Sequence, residues 1–255
     1  MRRILTPLDG SPRGDQILTF LDRLFPESRV RELVLLRVLA GAPATELARS
    51  HLDRTAHRLR EAGLDVKTLL TVADDPAAEI LKVAGLIRPW LTALSTHGAS
   101  DGPDRGSVAA SVIPACPGPL FLVGRQALSI DPGPGCARIL VALDGSRCAE
   151  AVLPIVGELA RPSGAEVVLL TVGEPGRSAP THLEIARSKL EEAGVDRVRV
   201  MQAGGEVAEA LLAATRREAV DLLAMGARGA TGGPGLGSVA RAVAQRCDCP
   251  LLLAR

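Results

Sequence analysis

Short apolar runs alternate with longer amphipathic stretches along this chain of 255 residues. A continuous apolar run such as 32–39 is typical of a strand buried on both faces, whereas apolar residues three and four apart, as in 13–25, predict a helix. In the first half, the predicted strands are 2–8, 32–39, 65–72, 89–95 and 119–123. The predicted helices between them are 13–25, 44–62, 76–87 and 107–115. Strands that alternate with helices predict an α/β fold, a parallel sheet with helices on both faces.

The same pattern occurs twice, with matching residues in the same order. Residues 4–11 read ILTPLDGS and residues 139–146 read ILVALDGS. GSVA at 106–109 returns unchanged at 237–240. Because matching segments recur in the same order across both halves of the chain, we interpret the chain as two fused copies of one domain.

The copies predict the domain boundaries. We expect a first domain at 1–125 and a second at 138–255. The stretch between them, 126–137, is rich in proline and glycine and predicts a linker. In parallel sheets of this kind, ligands bind at the carboxyl ends of the strands, near the point where the strand order reverses.

Composition narrows the class of protein. The net charge is +1, so no strong field attracts nucleic acid or an acidic membrane surface, and aromatic residues, at 2%, are too few for a base-stacking platform. No apolar run approaches the ~18 residues of a membrane span. Asp9 interrupts the apolar start of the chain, which therefore predicts a strand and not a secretion signal. The odd number of cysteines, five, favours reduced thiols, and we expect a soluble cytoplasmic protein without nucleic-acid or membrane partners.

Each copy carries an Asp-Gly-Ser loop after its first strand, at 9–11 and at 144–146. The carboxylates of Asp9 and Asp144 can accept hydrogen bonds from a ribose or face a metal-bound phosphate. The glycine permits a tight turn, and the serine can cap the helix that follows. A loop of this kind also occurs as an ordinary strand–turn–helix connection, so it does not establish a site by itself.

A glycine-rich loop follows the fourth strand of the second copy. It begins with Gly226, Arg228 and Gly229 and ends with Gly237 and Ser238, where an apolar helix starts. Glycines let backbone N–H groups surround an anion, and the helix N-terminus favours negative charge. Arg228 could add a bidentate phosphate contact, and Ser238 could bind a phosphate oxygen or cap the helix. The loop therefore predicts phosphate binding.

The first copy has a weaker version of this loop. Gly98, Gly106 and Ser107 match the second copy, but Ser95 replaces the first glycine. Two aspartates within 99–105 would repel phosphate unless a divalent cation lay between them. We therefore expect the second copy to hold the better site.

Other motifs do not predict catalysis or metal binding. Cys247 and Cys249 form a Cys-x-Cys motif without the second pair that a structural zinc site needs. His51 and His57 lie six residues apart on a predicted helix, so they do not share a face. The chain has neither a P-loop motif nor a nucleophile elbow. We assign no catalytic residue and no protein-bound metal.

The two loops together resemble the universal stress protein family, over both copies. The resemblance implies a Rossmann-like fold with a five-stranded parallel sheet in each copy. It also implies binding of ATP, or of ADP or AMP, with or without Mg²⁺, and packing of the two copies as an internal pseudo-dimer. The family's motif is G-2x-G-9x-G-[S/T], whereas here seven residues separate Gly229 from Gly237.

The resemblance also assigns roles to individual residues. It implies that Asp144 lies near the nucleotide and that the chain around Val172 lines the adenine. The phosphates would be held by Gly226, Gly229, Gly237, Ser238 and Val239. The matching positions of the first copy are Asp9, Val38, Gly98, Gly106 and Ser107.

Three functions stay open. The first is an adenine-nucleotide-binding stress-response or regulatory protein with at most slow ATP hydrolysis, because no general base or P-loop lysine is evident. The second is an adenine-nucleotide hydrolase or transferase in which Asp144 holds a metal. The third is an interaction module without nucleotide, in which the copies pair with each other or two chains form a homodimer.

Overall fold

The structure of the protein, a computed structural model, describes residues 2–25, 32–41, 45–96, 107–129, 135–173, 180–229 and 235–255. The chain divides into two compact units, Met1–Val123 and Gly124–Arg255. The described parts of the predicted linker belong to the second unit, where Ala127 and Cys136 are buried.

The described residues of unit 1 form five strands and four helices. The strands are β1 (Arg3–Pro7), β2 (Glu32–Leu39), β3 (Val66–Val72), β4 (Leu91–Ser95) and β5 (Leu120–Val123). The helices are α1 (Pro12–Leu24), α2 (Thr45–Glu61), α3 (Pro76–Ile87) and α4 (Ser107–Ala115). All nine elements predicted from the hydrophobic pattern are confirmed, with ends that differ by at most two residues.

Unit 2 repeats this order, with one helix broken in two. Its strands are β6 (Arg138–Ala142), β7 (Glu166–Val172), β8 (Val198–Ala203), β9 (Leu222–Gly226) and β10 (Leu251–Ala254). Its helices are α5 (Arg147–Glu150), α6 (Leu153–Ser163), α7 (Thr181–Glu192), α8 (Val207–Arg217) and α9 (Ser238–Arg246). The break between α5 and α6 precedes Pro154, which has no N–H to donate to the carbonyl of Glu150 one turn earlier.

Each unit is a parallel, doubly wound sheet. The strand order is β3-β2-β1-β4-β5 in unit 1 and β8-β7-β6-β9-β10 in unit 2, and neighbouring strands within a unit run parallel. The order reverses beside the first strand of each unit, between β1 and β4 and between β6 and β9. Right-handed crossovers on the two sides of that strand place helices on opposite faces of the sheet. The predicted α/β, Rossmann-like fold is confirmed in both units.

The sheets form the cores of the units. Their central strands are buried on both faces, as the continuous apolar runs predicted; Leu5, Leu35 and Leu140 are fully buried. In unit 1, Phe25 packs edge-to-face against Trp90 and Phe121, with ring centroids 5.9 Å and 5.4 Å apart. No described helix has the length and apolar character to cross a bilayer.

A charged cluster closes the amino end of each sheet. In unit 2, Glu166 accepts hydrogen bonds from Arg138 at 2.7 Å and from Arg199 at 3.3 Å. In unit 1, the fully buried Glu32 lies between Arg3 and Lys67 in the same arrangement. The hydrogen bond from Arg138 is the main cause that lowers the pKa of Glu166, against the opposing effect of burial. These carboxylates join the first three strands of each unit at their starts, at the end of the sheet opposite to the carboxyl edge.

Candidate functional site

A cavity of about 250 Å³ opens at the carboxyl edge of the unit 2 sheet. Its walls come from the ends of β6, β7 and β9, the first turns of α8, and the N-terminus of α9. Because the strand order reverses between β6 and β9, the loops after these strands separate to opposite faces and leave a crevice. The cavity therefore lies where the topology of the sheet predicts a ligand site.

Every residue that the sequence assigned to the second-copy site lines this one cavity. These residues are Asp144, Val172, Gly226, Arg228, Gly229, Gly237, Ser238 and Val239. They come from three segments of the chain, up to about a hundred residues apart in the sequence, and the sheet brings them together.

The Asp-Gly-Ser loop forms one rim of the cavity. The backbone N–H of Ser146 donates to Asp144 Oδ1 at 2.9 Å, and the Ser146 hydroxyl accepts from the N–H of Ala149 at 3.1 Å, capping α5. Gly145 has a φ of +79°, which favours glycine. The other carboxylate oxygen of Asp144 would lie 3.4 Å from a Cβ placed on Gly229. The Asp144 carboxylate therefore lies directly against Gly229, at the start of the glycine-rich loop.

The N-terminus of α9 lines the cavity close to Gly229. Gly237 is the N-cap residue, and among the described residues no side chain caps the first turn. Ser238 is thus the first residue of the helix and does not cap it, which removes one of the two roles predicted for its hydroxyl. The N–H of Gly237 donates a hydrogen bond to the carbonyl of Ala227 at 2.9 Å. The N–H groups that remain without a cap are therefore those of the first turn of α9. The positive end of the helix dipole faces the cavity with them.

The sequence of unit 2 matches a known protein family. The profile of the universal stress protein family matches residues 136–255, essentially unit 2. A universal stress protein of Thermus aquaticus is 33% identical to this chain in a match that covers 46% of the chain and 97% of that relative. The chain belongs to the universal stress protein family. Universal stress protein YxiE of Bacillus subtilis (strain 168) is 30% identical in a match that covers 46% of this chain and 98% of that protein.

A solved structure extends the likeness to the whole chain. The crystal structure of a universal stress protein from Archaeoglobus fulgidus DSM 4304 matches with a TM-score of 0.81 over 99% of this chain and 98% of that one. The identity is 23%, so this match shows the shared fold alone. Each single-copy relative is covered almost fully by less than half of this universal stress protein, which agrees with the internal repeat.

Two glycines of the motif in this universal stress protein differ in whether a side chain could fit at their positions. A Cβ on Gly226 would lie 2.8 Å from the carbonyl oxygen of Cys148 and 3.0 Å from Ala149 Cα. Glycine is therefore needed at 226 because α5 packs against the strand end. A Cβ on Gly237 would meet its nearest atom, the carbonyl oxygen of Ala227, at 3.5 Å, and φ there is −61°. Neither sterics nor backbone conformation requires glycine at 237.

Arg228 lies beside the glycine-rich loop. Its Nε donates to the carbonyl of Gly235 at 3.2 Å. This hydrogen bond connects the two described ends of the loop, on either side of 230–234. The sequence predicted a phosphate contact for Arg228, and the structure adds this role in holding the loop.

Part of the cavity wall is apolar, and of its residues the sequence had identified Val172 but not the others. Val172 and Leu170 from β7 are joined by Val207 and Leu211 from α8. Val207 is 39% exposed, high for a valine in a helix of a packed domain. The signal that could have located it is topological: α8 connects β8 to β9 and so must cross the sheet beside the reversal point.

The unit 1 residues are only partly described. Asp9 Oδ1 accepts from the N–H of Ser11 at 2.9 Å and from its hydroxyl at 2.7 Å, which repeats the loop of unit 2. Val38 is half-buried near the end of β2. Gly98 and Gly106 lie outside the described residues, as does the side chain of Ser107, whose backbone begins α4.

Arg37 distinguishes unit 1 from unit 2, where Thr171 has the matching position. Its Nη1 donates to the carbonyl of Leu8 at 3.2 Å, and it would lie 3.0 Å from a Cβ on Gly10. Burial lowers the pKa of Arg37, and the nearby Asp9 carboxylate opposes that shift. A guanidinium therefore lies against the Asp-Gly-Ser loop of unit 1, a feature that sequence reasoning did not identify.

Proposed function

We propose that this universal stress protein binds an adenine nucleotide, ATP or the related ADP or AMP, in the cavity of unit 2. One observation carries the proposal: the cavity joins an apolar wall, a carboxylate and an uncapped helix N-terminus at the reversal point of a parallel sheet. These are the three surfaces that a base, a ribose and a phosphate require. The family resemblance implies the same ligand class.

The adenine belongs on the apolar wall. Val172, Val207 and Leu211 offer aliphatic surface on which a flat base can be buried. The exposed fraction of Val207 falls when a ring covers it, and burial of apolar area stabilises the complex by about 25 cal/mol per Å². The wall supplies contact area and little hydrogen-bonding selectivity.

The ribose belongs next to Asp144. Asp144 Oδ1 accepts a hydrogen bond from the Ser146 N–H, so the loop holds the carboxylate in one orientation. A carboxylate accepts hydrogen bonds from the two vicinal hydroxyls of a ribose, and such charge-assisted bonds are stronger than neutral ones. Close to a phosphate the same carboxylate would repel, so it faces the ribose directly or meets the phosphate through Mg²⁺, which commonly binds one carboxylate together with phosphates and waters.

The phosphates belong at the N-terminus of α9. The N–H groups of its first turn are uncapped, Ser238 offers a hydroxyl there, and Arg228 adds positive charge to the rim. A helix N-terminus with glycines before it binds phosphate through backbone donors and the helix dipole together. The role of glycine at 237, which sterics do not require, is to let the ligand approach the backbone.

The cavity is built for binding more than for catalysis. Among the described residues that line it, Asp144 is the one carboxylate, and neither histidine nor lysine is present. A general base near pH 7 is therefore missing from the described lining. We propose a regulatory or stress-response role with at most slow ATP hydrolysis.

The test is Gly229→Glu in the full chain, with binding of ATP and Mg²⁺ measured by calorimetry on nucleotide-free protein. A new carboxylate about 5 Å from a phosphate costs roughly 3 kcal/mol at an effective dielectric constant of 20, so affinity should fall at least ~100-fold. Gly85→Glu is the matched control: it adds the same charge in α3, where a Cβ meets nothing within 4 Å. It should bind like the original protein.

Three results would contradict the proposal. Equal affinity for Gly229→Glu and Gly85→Glu would show that the nucleotide binds elsewhere. Absence of binding by the unmodified protein at millimolar ATP, with no nucleotide released on denaturation, would favour an interaction module. A turnover far above buffer hydrolysis would instead support the hydrolase hypothesis.

A further inference from the structure

A pair of thiols lies at the junction of α9 and β10. Cys247 is the C-cap residue of α9, and Cys249 follows two residues later, shortly before β10 begins. The chain bends at 248–249, which turns both side chains toward each other. Their Sγ atoms are 3.4 Å apart, and the residues are 4% and 8% exposed. Both cysteines are free thiols.

We propose that Cys247 and Cys249 are a site of reversible oxidation by peroxide, closing to an intrachain disulfide. A disulfide bond is about 2.05 Å long, so each sulfur has to move about 0.7 Å. Rotation of each side chain by roughly 25° about its Cα–Cβ bond covers that distance and is tolerated by side-chain torsions. A disulfide between Cys247 and Cys249 therefore requires only a small rotation of each side chain.

The hydrogen bond between the thiols assigns their order of reaction. Either sulfur can donate in this contact. With Cys249 as the donor, the hydrogen bond lowers the pKa of Cys247, against the effect of burial. The same interaction, with burial, raises the pKa of Cys249. Asp248 disfavours the Cys247 thiolate, but its carboxylate is bound by Arg216 Nε at 2.9 Å, and Arg216 favours the thiolate. Cys247 is thus the attacking sulfur and Cys249 the resolving one.

The chemistry is balanced with hydrogen peroxide as the oxidant. The Cys247 thiolate attacks one peroxide oxygen, the O–O bond breaks, and the departing hydroxide takes up a proton to form water. The resulting sulfenic acid is attacked by the sulfur of Cys249, which loses its proton as the S–O bond breaks and a second water leaves. Two thiols lose two electrons in total, and the peroxide gains them.

A metal site at the same place is the weaker interpretation. The ligand atoms of Cys247, Asp248 and Cys249 lie within 4.8 Å of one another. However, the Asp248 carboxylate is engaged by Arg216, which leaves two sulfurs, half of the set that a tetrahedral zinc ion needs. A sulfur pair in mutual contact without further ligands is better suited to a disulfide.

The internal repeat supplies a control in the same molecule. Cys116 has the position of Cys247 in unit 1 and is equally buried, with 1% exposure. Gly118 stands where unit 2 has Cys249. The first copy therefore presents a buried cysteine after the last helix without a thiol two residues later, and it should not form this disulfide.

The experiment treats the reduced full-length chain with a small excess of hydrogen peroxide, quenches it, alkylates it under denaturing conditions and digests it with trypsin. Cleavage after Arg246 places both thiols in one peptide, 247–255. We expect that peptide to become two hydrogens lighter and to resist alkylation, with both changes reversed by a thiol reductant. Cys116 should stay fully alkylated.

Two variants sharpen the assignment. Cys249→Ser should yield no disulfide and should accumulate a Cys247 sulfenic acid that a dimedone probe traps. Cys247→Ser should yield neither the disulfide nor a trapped sulfenic acid. The proposal is overturned if Cys247 and Cys249 are alkylated to the same extent as Cys116 after peroxide. It is also overturned if one zinc ion per chain co-purifies and Cys249→Ser abolishes it. The unmodified chain alone decides the outcome if a variant does not fold.

Discussion

Gly226→Ala adds one methyl group where three backbone atoms already surround the position. The new Cβ would lie 2.8 Å from the carbonyl oxygen of Cys148, 3.0 Å from Ala149 Cα and 3.0 Å from the carbonyl oxygen of Arg228. These atoms belong to the first turn of α5 and to the chain just after β9, so none can swing away as a flexible side chain would. The contact has to be relieved by moving α5 or the strand end.

The size of the effect follows from these contacts. Overpacking a well-packed position by a methyl group costs about 1–3 kcal/mol. For a domain of this size, each kcal/mol lowers the melting temperature by about 4 °C, so Gly226→Ala should melt about 4–12 °C lower. Since α5 is capped from the Asp144 loop, its displacement should also weaken nucleotide binding.

The assay is thermal unfolding followed by far-UV circular dichroism, with Gly173→Ala as the control. Gly173 follows β7 in the same unit, and a Cβ there meets nothing within 4 Å, so this variant should stay within about 0.5 kcal/mol of the original. Trp90 is the single tryptophan and lies in unit 1, so its fluorescence separates unfolding of that unit from the total signal. Equal melting temperatures for Gly226→Ala and Gly173→Ala would refute the steric explanation.

Two further predictions concern the stability of the units. The pKa of Glu166 is lowered from its ordinary 4.5, chiefly by the hydrogen bond from Arg138, so its stabilisation is present above pH about 4.5 and is lost as the pH falls below that value. Glu166→Gln should flatten this acid loss in urea titrations, unlike the exposed Glu192→Gln, and identical acid profiles would contradict the assignment. Phe121→Ala should destabilise unit 1 by about 3–5 kcal/mol, because Phe121 is fully buried against Phe25. The urea midpoint measures this, and a loss below about 1 kcal/mol would count against it.

Much of the fold could be predicted from local patterns in the sequence. Period and length separate α1 from β2 because a helix buries one stripe while a central parallel strand buries both faces. The Asp-Gly-Ser and glycine-rich loops could be found as well, since their residues are adjacent in sequence and their order recurs in both copies. Ser11 and Ser146 do cap the helices that follow, as their residue type predicted.

Other features depended on contacts that no local pattern encodes. Val207 lines the cavity only because β9 pairs with β6 and so brings α8 over the reversal point. Gly226 and Gly237 look alike in sequence, yet only the packing of α5 shows that the first is sterically required. The motif Cys-x-Cys predicted little until the bend before β10 placed the two sulfurs 3.4 Å apart.

By itself, the sequence determined the elements, the repeat, the parallel α/β class and the residues from which a second-copy site would be built. These follow from hydrophobic periodicity and from motifs in which the relevant residues are neighbours along the chain. The tertiary structure decided which glycine is a packing requirement, that Ser238 does not cap α9, that Arg37 lies on the unit 1 loop, and that Cys247 meets Cys249. Each of these depends on the strand order and the close approach of distant backbone segments, and burial patterns along one strand or helix carry no information about either.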